Sequence, residues 1–271
     1  MKTISDLYAA PGDIAKWLET IPAPLGSSPN WKPLYFIAIT ARSGSTMLCS
    51  MMEKVGDFGI PDEYLNPRGP FTMYHSKFGG QNIQEYLENI QNRLKSDVLG
   101  IKTAFLDFYP FAALFAQIPP KYANFIYLTR LDVFSQAVSL WSAKKTHLWH
   151  STTGTKSKIE IGDYNYSEIF YTLLQIIEER VKWEIYFSIN GIVPLRLNYE
   201  DICNNHIKAI SSIAVFLGIE ISEEFINEIK PTTTILSTEN QKLICNKFSE
   251  EFISKNDLLK VNEMILIQKC N

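Results

Sequence analysis

The 271-residue sequence has little cysteine and histidine, no long apolar run and no excess of positive charge, and each absence removes a class of function. The four cysteines (Cys49, Cys203, Cys245 and Cys270) are scattered, with no Cys-x-x-Cys pair and no histidine at ligand spacing. They read as free thiols of a reducing, cytoplasmic compartment, and no metal site is expected. No apolar run approaches the roughly 18 residues that span a bilayer. Residues 1–33 lack the basic-then-apolar order of a signal peptide, so no stable membrane insertion is expected. The net charge of −3 argues against a general nucleic-acid binder, which needs a basic surface to displace counterions.

What remains is a chain of ordinary globular composition, 46% hydrophobic and 20% charged, with a raised aromatic share of 13% that suits a cleft-forming enzyme. Its organisation reads as an N-terminal helix and linker over 1–33, closed by the Pro/Gly/Ser-rich Pro22–Pro33, and one domain over 34–271 with a helical C-terminal portion. Leu34–Thr40 (LYFIAIT) is a nearly continuous apolar run of strand length, the pattern of a parallel strand covered on both faces. Further strands are expected at Asp97–Phe105, Ala123–Thr129 and Ile192–Leu197. Helices are expected at Ser45–Val55, Ile83–Leu94, Ala112–Ile118, Asp132–Lys145, Tyr166–Asn190 (ended by Gly191) and Ile207–Leu217 (ended by Gly218). Ser151–Asp163 has no clear period and reads as a loop. Such alternation predicts an α/β fold with a central, mostly parallel sheet flanked by helices, and ligands beyond the carboxyl ends of its strands.

The strongest local signal is the junction Thr40-Ala41-Arg42-Ser43-Gly44-Ser45-Thr46, between a buried strand and a helix. Backbone N–H groups and the helix dipole favour an anion there. Gly44 permits close approach, Ser43, Ser45 and Thr46 add hydroxyls, and Arg42 adds a cationic fork. The same residues would also serve as a plain strand–helix turn with a capping serine. Two glycines and a Gly-Lys-Ser/Thr ending, which a nucleoside-triphosphate loop needs, are missing.

With these residues in view, the sequence resembles the PAPS-dependent sulfotransferases (PAPS is 3′-phosphoadenosine-5′-phosphosulfate), in particular the bacterial carbohydrate sulfotransferases that include trehalose 2-sulfotransferase. Four segments carry the resemblance in order: TARSGST; Gly59-Ile-Pro-Asp-Glu-Tyr-Leu65; Gly100-Ile-Lys-Thr103; and the block from Ile126 to His150 with Arg130 and Gln-Ala-Val-Ser-Leu-Trp141. Trp183, the Pro194 strand and Tyr199-Glu-Asp201 are a weaker echo. The resemblance implies a P-loop-like sulfotransferase fold, with PAPS as co-substrate, PAP as product and no metal. Residues 42–46 would hold the 5′-phosphosulfate, and Arg130 and Ser139 the 3′-phosphate. Glu63 would be the general base, with Asp62 its neighbouring alternative, and Lys102 and Arg42 would steady the sulfuryl group. Ala41, Pro61, Asp62 and Tyr64 fall where the acceptor is expected.

Two departures bear on the acceptor. Ala41 stands where the trehalose-type enzymes carry glutamine, and Ile235-Leu236 where they carry an Arg-Gln pair. A sugar site depends on such hydrogen-bonding groups, so the acceptor stays open between a sugar, a glycolipid head group and a natural-product metabolite. Ala104 follows Lys102-Thr103 where animal cytosolic sulfotransferases have a histidine base, which leaves that role to Glu63. The rival readings are an ATP-dependent small-molecule kinase and a non-catalytic nucleotide-binding protein. A homodimer is an open option, since relatives often pair.

Overall fold

The structure, a computed structural model, describes residues 33–67, 69–115, 123–149, 159–221, 229 and 239–258. The expected N-terminal helix, residues 151–158 of the expected loop, His150 and Ile235-Leu236 lie outside the described residues. The chain gathers into two compact units, Met1–Thr129 with Lys182–Thr232, and Arg130–Val181 with Thr233–Asn271.

The first unit is built round a four-stranded parallel sheet in the order β2-β1-β3-β4: β1 (Leu34–Ile39), β2 (Leu99–Ala104), β3 (Ala123–Thr129) and β4 (Leu195–Asn198). Every residue of β1 is buried, as expected of a strand covered on both faces. Alternate side chains then divide the core in two. Leu34, Phe36 and Ala38 join an aromatic-rich cluster with Phe108, Phe125, Trp183, Tyr186 and Phe187. Tyr35, Ile37 and Ile39 join Met47, Leu48, Met51 and Met52 of helix α1 (Ser45–Val55) and Ile210 and Ile213 further along the chain.

Helix α2 (Pro70–Phe78) appears where no element was expected; Pro70 starts it, and Phe71 and Phe78 are its buried anchors. Helix α3 (Ile83–Leu94) follows, capped by the Asn82 side chain, which accepts from Glu85 N–H. Of the expected helix at Ala112–Ile118, the described residues Ala112–Phe115 are helical and 116–118 lie outside the description; a short helix at Phe105–Phe108 and a 3-10 turn at Tyr109–Phe111 precede it. The fourth strand starts later than its apolar pattern suggested. Ile192 N–H is engaged in closing the preceding helix onto Phe187 C=O (2.9 Å), with Gly191 left-handed at the cap, and Pro194 has no N–H.

In the second unit, helix α4 (Val133–Thr146) begins at Asp132, whose carboxylate accepts from Ser135 N–H at 2.9 Å. Helix α5 (Tyr166–Ile189) contributes its residues up to Val181, and helix α6 (Glu239–Ser254) completes the unit. Phe134 packs edge-on to Phe248 and against Phe252, and Tyr166 and Phe170 pack on the same pair. Tyr164 OH donates to Glu251 (2.6 Å) and Trp141 Nε1–H to Glu168 (2.7 Å), so the aromatic contacts are bordered by satisfied polar groups. Among the described residues no helix is long and apolar enough to cross a membrane.

Candidate active site

Strand β1 ends at Ile39, and the chain turns at once: Ser43 N–H donates to Thr40 C=O at 3.2 Å. Arg42 (φ 65°) and Gly44 (φ 88°) both adopt left-handed backbone. For Arg42 that is a strained state, of the sort held in place at functional turns. A Cβ on Gly44 would lie 2.3 Å from Tyr199 Cδ2, so glycine is needed for space as well as for φ. No side chain caps α1, and no acidic residue occupies its first turn. Among the described residues, the leading N–H groups of the helix are therefore not taken up by a capping side chain, a feature that favours an external anion. Among the described residues, Ser43 Oγ is buried without a hydrogen-bond partner.

The second component is Lys102 on β2. The register pairs it with Ile37, so its side chain points to the same sheet face as α1. It is almost fully buried and forms an ion pair with Glu63 Oε1 at 3.1 Å, with Asp62 Oδ1 at 4.0 Å. Glu63 is brought there by the backbone. Asp62 bridges to Ile101 as a short parallel pair, and Lys102 N–H donates to Asp62 C=O at 3.0 Å. This approach needs Gly100, since a Cβ there would meet Pro61 at 2.8 Å and the Tyr35 hydroxyl at 2.3 Å. Burial alone works to lower the pKa of the Lys102 ammonium, but the neighbouring carboxylates of Glu63 and Asp62 outweigh it and hold it above the ordinary value. Cys49, on α1, is pushed up to about 12 by burial against the pull of Lys102, so it is a neutral thiol.

Both carboxylates are further ordered. Asp62 accepts from Glu63 N–H (2.7 Å) and from the Tyr74 hydroxyl. Glu63 Oε2 accepts from Asn66 Nδ2 at 2.6 Å. Asn66 and Tyr74 were missed in the sequence. Asn66 lies one turn past Glu63 in a stretch without a motif, and Tyr74 belongs to the unassigned helix α2.

The remaining expected residues fall as follows. Pro61 is buried beside β2, and Tyr64 is 1% exposed in the aromatic core with its hydroxyl on Ile60 C=O (2.7 Å), so both shape the segment from inside. Ala41 is half-buried in the loop, and Thr46 is exposed. In the second unit, Arg130 directly follows β3 in the chain and Ser139 lies on α4. Arg180 of α5, also missed, donates to the Arg130 carbonyl (2.5 Å) and to Gln136 Oε1 (2.7 Å), and so fixes the entry to α4.

The loop between β1 and α1 and the Lys102–Glu63 ion pair, its lysine buried and its glutamate half-buried, lie on one face of the parallel sheet, toward the carboxyl ends of β1 and β2. The sequence model of the Stf0 sulphotransferase family matches residues 112–251, more than half of the chain, and the chain belongs to that family of sulfotransferases. It is 22% identical over 224 residues to trehalose 2-sulfotransferase of Mycobacterium tuberculosis, covering 68% of this chain and 84% of that protein. Among solved structures, mouse sulfotransferase SULT7A1 complexed with PAP aligns at 14% identity with a TM-score of 0.47, covering 84% of this chain and 73% of the other.

Proposed function

We propose that the protein moves the sulfuryl group of PAPS onto a hydroxyl or amine of a small polar acceptor, with Glu63 as general base. The observation that carries this reading is the Lys102–Glu63 pair, held by backbone bonds at the carboxyl end of β2, on the sheet face that α1 covers. Residues 42–46 suit the 5′-phosphosulfate: the uncapped helix start and the unpartnered Ser43 hydroxyl are polar groups that an anion satisfies. Arg130 and Ser139 are assigned to the 3′-phosphate on the family resemblance.

The transfer is an in-line displacement. Glu63 takes the acceptor proton, the acceptor oxygen or nitrogen bonds to sulfur, and the bond from sulfur to the bridging oxygen breaks with its electron pair leaving on PAP. Lys102 supplies positive charge where the leaving oxygen develops its negative charge. The ion pair gives this an internal order: when Glu63 is protonated, Lys102 loses its nearest counter-charge, and its field is then available to the departing group. The acceptor belongs to the sugars, glycolipid head groups or small natural products.

Calorimetric titration tests the donor. PAP is expected to bind without added metal and Mg-ATP not to bind; binding of Mg-ATP with indifference to PAP would transfer the chain to the kinase reading. Arg130→Ala is expected to weaken PAP by about 2–5 kcal/mol, the effect of losing one partner of a buried charged contact. An unchanged affinity would remove Arg130 from the site. Gly44→Ala is expected to abolish PAP binding in the same titration, because the added carbon meets Tyr199 and the backbone is left-handed. The strain alone is about 1–2 kcal/mol. Retained affinity would mean that the loop does not hold the nucleotide.

A further inference from the structure

We propose that Asn66 is a positioning residue for the base: its side-chain amide fixes the plane of the Glu63 carboxylate and holds the second oxygen in its ionised form. The inference rests on Glu63 being the base and adds a residue that neither motif nor family resemblance pointed to. The two oxygens of Glu63 are held by different chemistry. Oε1 faces the Lys102 ammonium at 3.1 Å, and Oε2 accepts from Asn66 Nδ2 at 2.6 Å. An ammonium is a compact point charge that places little restriction on orientation, and the last torsion of a glutamate side chain is broad. A planar amide donor is directional and sets that torsion.

Asn66 can do this because its own backbone is pinned. Its N–H donates to Glu63 C=O at 3.0 Å, and its C=O accepts from Phe71 N–H at 2.8 Å, at the first turn of α2. The donor is thus part of the turn that carries the carboxylate, and the carboxylate cannot rotate without breaking it. Among the described groups that act on Glu63 are Lys102 on β2, Cys49 on α1, Tyr74 on α2 and Asp62 beside it in the chain. Cys49 is a neutral thiol and the Tyr74 phenol is raised by burial and by its bond to Asp62, so neither titrates where a carboxylate does.

The test reads Glu63 directly and needs no acceptor. Glutamate side-chain carboxyl carbons of the full chain are followed by carbon-13 NMR against pH, with Glu63 assigned by the signal that Glu63→Gln removes. Removing a donor from an ionised carboxylate raises its proton affinity. In Asn66→Ala the Glu63 titration is expected to move up by about one pH unit, a tenfold change in proton affinity. In Asn66→Asp, which keeps the shape of the residue and adds a like charge, it is expected to move further. PAP affinity is the control for folding, and Asn66→Asp carries the test should Asn66→Ala lose it. A Glu63 titration unmoved in the folded variant overturns the proposal. A shift as expected, in an enzyme whose Glu63→Gln variant still turns over, leaves the positioning intact and removes the base assignment instead.

Discussion

Glu63→Gln is expected to lower turnover by about 10²- to 10⁴-fold, the range for loss of a positioned general base, while PAP binds as before. Glutamine keeps the size of the side chain and an oxygen for Asn66 or Lys102, but it cannot take a proton from the acceptor. Among the described residues the buried lysine then retains Asp62, at 4.0 Å, as its carboxylate neighbour, so a modest loss of stability accompanies the loss of rate. The measurement is turnover of PAPS with whichever sugar or amine the wild type sulfates in an acceptor screen, alongside PAP calorimetry. Loss of both activities together would show that Glu63 holds the nucleotide site rather than the proton. The parallel Asp62→Asn variant separates the two carboxylates: Asp62 already accepts from Glu63 N–H and Tyr74, and its substitution is expected to be the milder of the two.

Trp183→Ala is expected to cost about 3–5 kcal/mol of stability, the usual toll of removing a buried tryptophan. The indole has no exposed surface and stacks on Phe187, with Phe105 edge-on at 5.1 Å and Phe108 at 5.2 Å. Its Nε1–H also donates to Ile39 C=O at 3.0 Å, the last residue of β1 before the anion loop. The variant therefore leaves a buried carbonyl without its donor at the point where the loop begins. Chemical denaturation would read the stability, and PAP calorimetry on the residual folded protein would read the loop. Trp183→Phe fills most of the space but cannot make the hydrogen bond. It is expected to recover more of the stability than of the PAP affinity; equal recovery of both would show that the indole acts by volume alone.

The parts of the fold that could be read in the sequence are those fixed by local pattern. β1 declared itself as an uninterrupted apolar run because both its faces are covered, and α3 and α4 carry their caps, Asn82 and Asp132, beside their apolar spacing. Gly191 and Gly218 marked real helix ends, both in left-handed backbone. What could not be read depends on non-local contact. The pairing of Glu63 with Lys102 follows from the Asp62–Ile101 bridge and from the missing Cβ of Gly100, and neither is visible in the order of residues. Helix α2 is short and framed by Gly69, Pro70 and Gly79, residues that ordinarily signal a loop.

The segment that presents Glu63 has a further effect on how the chain behaves outside its active site. Among the described residues β2 is the outer strand of the sheet beyond β1, and an outer strand with free N–H and C=O groups is a template on which another chain can add a strand. The bond from Lys102 N–H to Asp62 C=O occupies that border, and Pro61, which has no N–H to offer, lies packed beside Gly100. Colloidal behaviour and catalytic alignment are therefore tied to one stretch of main chain. Substitutions that loosen residues 59–62 would be seen as lower soluble yield before any assay of sulfation was run.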